Sequence, residues 1–181
     1  MTWQHLAASG REQVNVSLGV GLTLVACGTL CHEDTGTLLS YRMCTNRKGW
    51  VNQVVIDAAM PLNAKLKLQR RTDGRWLIND LERPEFDGCT EFDLQCSGLT
   101  ISFPIRRLKL EVGEHQERAS LFIRLPQLVL EICQQSYTRL PDQNGKARYL
   151  YRSPVYSSEI TVDALGLAEH VGGLLHRVRH A

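Results

Sequence analysis

The sequence of 181 residues contains no long uninterrupted apolar run. Its most apolar stretch, VSLGVGLTLVACGTL, is broken by Gly19, Gly21 and Gly28, and it is shorter than the roughly 20 apolar residues that span a bilayer as a helix. The first residues, MTWQHLAASGREQ, lack the charged start, apolar centre and small-residue cleavage site of a secretory signal. We therefore expect no transmembrane segment and a cytoplasmic location.

An excess of charge of one sign is also missing. Lys and Arg number 21 against 19 Asp and Glu, which leaves a formal net charge of +2, and no long basic run occurs. Proteins that bind nucleic acids usually carry a concentrated basic surface. We therefore expect no nucleic-acid partner.

The six cysteines form no CxxC pair. The segment CGTLCH brings Cys27, Cys31 and His32 together, but this spacing fits no zinc-binding signature. The chain also has no GxSxG motif of the kind that exposes a nucleophilic serine. We interpret the cysteines as free thiols of a reducing compartment, and we expect no metal, no cofactor and no catalytic residue.

Helical periodicity is scarce, and alternation with a period of two takes its place. Successive strand residues point to opposite faces of a sheet, so this alternation predicts half-buried strands. The segment Asp73-Gly74 predicts a hairpin turn, and ALGLAEHVGGLLHRV near the end leaves a short helix and a final strand both open. The first alternating run places apolar side chains at Val14, Val16, Leu18, Val20, Leu22 and Leu24.

Many short strands joined by turns predict an all-β protein with a meandering antiparallel sheet. A sheet of so many strands must close, roll or double to hide its edges. We predict one such domain over residues 1–181, and uncovered edges would favour a homodimer.

The stretch ISFPIRRLKLEV, residues 101–112, changes face in its middle. Apolar residues occupy odd positions up to Ile105 and even positions from Leu108, so the switch falls on Arg106 and Arg107. A strand changes parity only by inserting one extra residue, and this predicts a β-bulge.

A bulge there would turn at least one of the two guanidinium groups inward. A buried charge is costly unless it is paired, so we expect a carboxylate partner or a bound anion. Asp93 is the first candidate partner and Asp163 the second. The sequence leaves three roles for Arg106 and Arg107 open: a structural ion pair, ligand binding, and exposure at a turn weakened by Pro104.

Glu91 and Asp93 provide an alternative function. Residues two apart on a strand share a face, so these two carboxyl groups could act as an acid–base pair. The aromatic residues on the strands are equally open to two interpretations, as core side chains or as walls that stack on sugar rings and contact acyl chains. They are Tyr41, Trp50, Trp76, Tyr137, Tyr149 and Tyr151.

The blocks GCTEFDLQ and FPIRRL resemble those of a family of small bacterial proteins, the "putative glycolipid-binding" proteins. The resemblance covers nearly the whole chain in the same order. It includes Glu12, Tyr41, Trp50, the DGRW hairpin ending at Trp76, Asp93-Leu94, Pro104 to Leu108, Gln135, Tyr137, Tyr151 and VDALGL.

The resemblance implies antiparallel strands wound into a spiral β-roll, distantly similar to periplasmic lipoprotein carriers whose curved sheet encloses a lipid cavity. It implies no catalytic mechanism. We therefore predict a module that binds a lipid-like or glycolipid-like ligand, with Arg106 or Arg107 on an acidic head group and Asp93 positioning them. The predicted ligand-binding residues are Arg106, Arg107, Asp93, Trp50, Trp76, Tyr41, Gln135, Tyr137 and Tyr151.

Two other functions stay open. One is an enzyme that acts on a glycolipid or carbohydrate through Asp93 and Glu91 with the two arginines. The other is a purely structural or interaction protein in which the charged cluster stabilises the interior.

Overall fold

Fifteen β-strands form one sheet in a computed structural model that describes residues 1–6 and 9–178. The first eight are β1 (Thr2–His5), β2 (Gly10–Leu18), β3 (Leu24–His32), β4 (Thr37–Thr45), β5 (Val51–Met60), β6 (Ala64–Arg70), β7 (Trp76–Ile78) and β8 (Leu81–Glu82). The other seven are β9 (Glu91–Leu94), β10 (His115–Arg124), β11 (Val129–Gln143), β12 (Lys146–Arg152), β13 (Ser157–Val162), β14 (Ala168–Val171) and β15 (Leu175–Val178). One α-helix, α1 (Ser102–Leu108), and two short 3₁₀ helices (Glu33–Thr35 and Pro84–Phe86) complete the described elements.

The sheet consists of two meanders of consecutive strands, which are joined by the pairing of the first strand with the last. Strands β8 to β1 follow one another, β1 pairs with β15, and β15 to β9 complete the sheet. All neighbours are antiparallel except β9 and β10. The single domain over residues 1–181 stays a prediction, and this one sheet would be its framework. Residues 7–8 and 179–181 of that range lie outside the described residues.

The sheet curls back towards itself. Strands β8 and β9 lie at opposite ends of the sheet order, yet only residues 83–90 join them, and a chain of that length reaches at most about 30 Å. A flat sheet of fifteen strands would be roughly 70 Å wide, because neighbouring strands lie about 4.8 Å apart. The predicted all-β fold with a curved, mainly antiparallel sheet is therefore confirmed, and the sheet is rolled without being closed.

Alternation along the strands separates the two faces, as the period-two pattern predicts. In β3, Leu24, Ala26 and Leu30 are fully buried, whereas Val25 and Cys27 are exposed. One continuous cluster of buried apolar side chains covers the inner face of the rolled sheet. No helix within residues 1–6 and 9–178 combines the length and the apolarity that crossing a bilayer requires.

The predicted bulged strand over residues 101–112 is wrong, because this segment contains helix α1. Strands β9 and β10 are parallel, and a parallel pair needs a long crossover connection, for which a helix is the usual element. Pro104 lies in the first turn of α1, where the missing N–H costs no helical hydrogen bond. Lys109 ends the helix in the left-handed conformation, with φ of 49°. The change of apolar parity therefore marks a helix followed by an irregular segment with a turn at Val112 and Gly113.

Two other local predictions can be compared with the structure. The run from Val14 to Leu24 forms a hairpin, β2 and β3, with the turn between Leu18 and Leu24. The hairpin at Asp73-Gly74 is confirmed by the pairing of β6 with β7. Of the two possibilities near the C-terminus, strands are formed (β14 and β15).

Candidate functional site

Four side chains form a cluster where α1 meets β9, β6 and the start of β5. We call Trp50, Arg70, Glu91 and Arg107 the arginine–tryptophan cluster. Arg107 forms an ion pair with Glu91, and the two side chains are 11% and 4% exposed. The guanidinium carbon of Arg107 lies 3.8 Å from the centroid of the Trp50 ring, and that of Arg70 lies 4.8 Å from it. The structure thus confirms an arginine–carboxylate pair, but with Glu91 rather than the predicted Asp93 or Asp163.

Arg70 carries a positive charge that nothing in the described chain neutralises directly. Its Nε is buried without a hydrogen-bond partner, and no carboxylate oxygen of the described residues lies within 4.0 Å of its guanidinium. Burial lowers the pKa of Arg70, the nearby Glu91 charge opposes this, and Arg107 adds to it. Arginine nevertheless stays protonated in proteins, so a half-buried cation remains.

Arg70 and Trp50 line an open cleft of about 820 Å³, which we call the basic cleft. Its other charged lining residues are Lys48, Arg71 and Asp73. Arg75 lies 2.9 Å from the Asp73 carboxylate, and Arg71 lies 3.1 Å from Glu82. The charges left without an ion-pair partner in the cleft are therefore positive.

Asp93 lies in a different environment. Its Oδ1 accepts a hydrogen bond of 2.6 Å from Thr100 Oγ1, and its Oδ2 accepts one of 2.7 Å from Gln135 Nε2. Both donors are neutral, so the predicted pairing of Asp93 with an arginine is wrong. Burial raises the pKa of Asp93 to about 6.

Asp93 and Tyr151 line a pocket of about 180 Å³, which we call the Asp93 pocket. Tyr156 also lines it, and the Tyr151 and Tyr156 rings lie 6.2 Å apart. This volume is below the roughly 300–1,000 Å³ of sites for drug-sized ligands. The pocket therefore suits a small unit such as one sugar ring better than an acyl chain.

The remaining predicted site residues do not join one site. Arg106 Nε donates a hydrogen bond of 3.0 Å to the carbonyl of Leu165, and Asp163 pairs with Arg177 instead of either predicted arginine. Trp76 is 1% exposed and its Nε1 donates to the Cys89 carbonyl, which makes it a core residue. Tyr137 is fully buried against Tyr151, with ring centroids 5.3 Å apart.

Tyr41 belongs to a third cluster, centred on the fully buried Glu12. Tyr41 Oη and Ser97 Oγ each donate a hydrogen bond of 2.6 Å to Glu12 Oε1. The backbone N–H groups of Gly98 and Leu99 donate to Oε2 at 2.7 and 3.3 Å. Burial raises the pKa of Glu12 and these donors oppose the shift. The carboxylate thus joins β2, β4 and the loop after β9.

A family model with the description "Putative glycolipid-binding" matches residues 1–177. The chain belongs to this family. It is also similar to a crystal structure of a DUF1089 family protein from Pseudomonas aeruginosa, with 27% sequence identity, a TM-score of 0.76 and 92% of each chain covered. No curated protein matches the chain. The resemblance derived from the residues is therefore confirmed, and both the basic cleft and the Asp93 pocket fall within the matched range.

Arg70 was not among the predicted site residues and Glu12 had no predicted role, although the strand periodicity places both side chains on the inner face. Arg70 continues the inward phase of Leu66 and Leu68 on β6. Glu12 lies in the inward phase of Gly10 and Val14 on β2. A charged residue in the buried phase of a strand was the available signal, because such a charge needs a partner or a ligand.

Proposed function

We propose that this family member binds an amphiphile of the glycolipid class and that the basic cleft takes its acidic head group. The observation that carries the proposal is Arg70, a half-buried guanidinium that has no carboxylate partner among the described residues and lines an open cleft. Guanidinium groups bind phosphate, sulfate and carboxylate oxygens through paired, charge-assisted hydrogen bonds. Because the inner face of the sheet already carries a packed core, the proposal assigns only the polar head to the cleft.

The ion pair between Arg107 and Glu91 holds the side chains of this site in position. Arg107 packs on the Trp50 ring at 3.8 Å, so Glu91 fixes Arg107 and Arg107 fixes the indole against which Arg70 lies. Arg107 is therefore a positioning residue in this proposal, whereas Arg70 contacts the ligand. A place for the protein in glycolipid metabolism, as a carrier of such amphiphiles, follows from the same assignment.

Substituting Arg70→Gln is expected to weaken binding of an acidic glycolipid about 10- to 100-fold, because a hydrogen bond to a charged group contributes about 1.5–3 kcal/mol. The probes are micelles of a sulfated glycosphingolipid and of its neutral, unsulfated counterpart, titrated by calorimetry. Arg83→Gln is the matched control, since Arg83 is partly exposed and already paired with Glu85.

The proposal requires that Arg70→Gln reduce binding of the sulfated lipid selectively while Arg83→Gln leaves it unchanged. Equal affinity of the wild-type protein for the two lipids would contradict a role for the head-group charge. Equal losses in both arginine variants would show an unspecific charge effect.

A second function, acid–base catalysis on a carbohydrate in the Asp93 pocket, is favoured by one observation. Asp93 lines a pocket, has no arginine partner within residues 1–6 and 9–178, and its pKa is raised to about 6 by burial. A carboxyl group with such a pKa exchanges its proton near neutral pH, as a general acid or base must. In this alternative Glu91 and Arg107 are occupied with each other, so Asp93 acts without them.

Substituting Asp93→Asn tests whether this proton is present. Because the pKa of Asp93 is about 6 in the folded chain and about 3.9 in an unfolded one, its stabilising contribution is complete below about pH 4 and is lost as the pH rises through 6. Between pH 4 and pH 7 the wild-type protein should therefore lose about 2–3 kcal/mol of its free energy of unfolding through this group. Asp93→Asn has no carboxyl group at this position and should not show this loss. Urea titrations at several pH values measure the difference.

Asp57→Asn is the control for this pH series, since Asp57 is half-exposed and paired only with the exposed Lys65. Its curve should run parallel to that of the wild type. A parallel curve for Asp93→Asn as well would show that folding does not raise the pKa of Asp93, and the catalytic alternative would lose its support.

We also propose a cytoplasmic location, because all six cysteines are free thiols and such a set is typical of a reducing compartment. The homodimer stays a prediction, in which the two-residue edge strand β8, with Leu81 70% exposed, is one of the uncovered edges.

A further inference from the structure

Three side chains from distant parts of the chain meet beside the Glu12 cluster. His5 ends β1, His32 ends β3, and Cys96 follows β9 in the left-handed conformation, with φ of 66°. One nitrogen of each histidine and the sulfur of Cys96 all lie within 4.8 Å of one another. We propose that His5, His32 and Cys96 bind one transition-metal ion of the Zn²⁺ type. This site is independent of the proposed glycolipid binding.

The distances are close to what such an ion needs. Zinc binds histidine nitrogen at about 2.0–2.1 Å and thiolate sulfur at about 2.3 Å in a tetrahedral arrangement. Its ligand atoms then lie roughly 3.3–3.8 Å apart, so an approach of about 1 Å would complete the site. Side-chain rotation of His32 and Cys96, which are both partly accessible, provides that movement without a change in the strands.

His5 has the arrangement of a histidine ligand. Its Nε2 lies 2.9 Å from the carbonyl oxygen of Cys96, an acceptor only, so Nε2 carries the proton. Nδ1 therefore holds a lone pair, and this atom is buried without any hydrogen-bond partner while the residue is 6% exposed. Metal-binding histidines usually donate their second N–H to a backbone carbonyl or carboxylate in this way. An unpartnered buried acceptor is otherwise unfavourable.

Gly10 keeps the space beside this lone pair open. Gly10 pairs with His32 across β2 and β3, so a side chain at position 10 would project on the same face as His32. A Cβ atom there would lie only 2.4 Å from His5 Nδ1. The unpartnered nitrogen is therefore directed towards the strand position that faces His32, and the two imidazole centroids are 5.7 Å apart.

The set of ligand atoms determines the class of ion. Two imidazole nitrogens and one thiolate suit Zn²⁺ and similar borderline or soft ions, whereas Mg²⁺ and Ca²⁺ require oxygen ligands. Three protein ligands leave a fourth position free, and Cys96 also lines the Asp93 pocket.

The test is a titration of the chelator-treated protein with Co²⁺, which reports a cobalt–thiolate bond by a charge-transfer band in the near ultraviolet. Zn²⁺ competition then gives the zinc affinity. The wild-type protein is expected to bind one equivalent with the charge-transfer band. Cys96→Ser should abolish the band, and His32→Ala should weaken binding at least 100-fold. Cys27→Ser is the matched control, because Cys27 is an exposed thiol outside the cluster.

His32→Ala keeps the test decisive if Cys96→Ser fails to fold, since His32 is only partly buried at the end of its strand; circular dichroism checks both variants. Absence of a thiolate band in the wild-type protein would overturn the proposal. So would a band that persists in Cys96→Ser, or an affinity unchanged in His32→Ala.

Discussion

Glu91→Ala is expected to lower the free energy of unfolding by about 3–5 kcal/mol, because it leaves a buried guanidinium without its counter-charge. Arg107 is 11% exposed and its Nε already lacks a hydrogen-bond partner, so the stack on Trp50 is the interaction that remains. Burial raises the pKa of Glu91, and the charge of Arg107 opposes that rise. Urea unfolding at neutral pH measures the loss.

The control for Glu91 uses both partners and an exposed pair. In the double variant Glu91→Ala with Arg107→Met, most of the lost stability should return, because neither buried charge remains. Glu82→Ala, which breaks only exposed pairs with Arg71 and Arg75, should cost less than about 1 kcal/mol. If Glu91→Ala costs no more than Glu82→Ala, the pair is not the structural support assigned to it here.

Glu12→Ala is expected to have an effect of similar size, about 3–5 kcal/mol, because each buried donor left without an acceptor costs about 1–3 kcal/mol. The two N–H groups of Gly98 and Leu99 cannot turn to other acceptors, whereas the hydroxyl groups of Tyr41 and Ser97 can reorient. Gly98 also lies against the Trp3 ring, where a Cβ would be 2.6 Å from the indole, so the loop has little room to move. The measurement is again urea unfolding.

Gln13→Ala is the matched control for Glu12, since Gln13 is the exposed neighbour on the same strand and should change stability by less than about 0.5 kcal/mol. Glu12→Gln keeps one oxygen acceptor and should lie between the two. A cost for Glu12→Ala as small as that for Gln13→Ala would show that the four hydrogen bonds contribute nothing to the folded state.

Six consecutive residues, 91–96, take part in all three features of functional interest. Glu91 belongs to the arginine–tryptophan cluster, Asp93 to the Asp93 pocket, and Cys96 to the proposed metal site. This concentration follows from the position of β9, which ends the sheet order and pairs with β10 alone. A strand at the end of a rolled sheet has one side free of ladder hydrogen bonds, so helix α1, the loop after β9 and side chains of other strands gather around it.

Local patterns were sufficient to predict most of the strands and the hairpin at Asp73-Gly74. Alternation in runs such as Val14 to Leu18 predicts strands because successive side chains of a strand point to opposite faces. Apolar residues therefore alternate with polar ones wherever one face is buried. Turn residues such as Gly74 separate the strands because their φ of 94° is readily adopted only by glycine. The same alternation also indicates that Glu12 and Arg70 face inward, and this was not part of the predicted site.

The partner of each buried charge could not be predicted from local patterns. Residues 101–112 were predicted to be a strand because parity alone does not distinguish a bulge from a helix followed by an irregular segment. The parallel pairing of β9 with β10 requires the crossover, and that helix carries Arg107 to Glu91 instead of Asp93. Asp93 is left with neutral donors, so no cation counters the rise in its pKa that burial causes.

Composition and periodicity in this chain thus predict a mainly β molecule with charged groups among its inward-facing positions, since both properties depend on neighbours along the chain. Which charges meet, and that His5 and Cys96 come together although they are 91 residues apart, depends on the pairing of β1 with β15 and of β9 with β10. These contacts join segments that are distant in sequence, so no local pattern predicts them. They form only when the whole sheet folds.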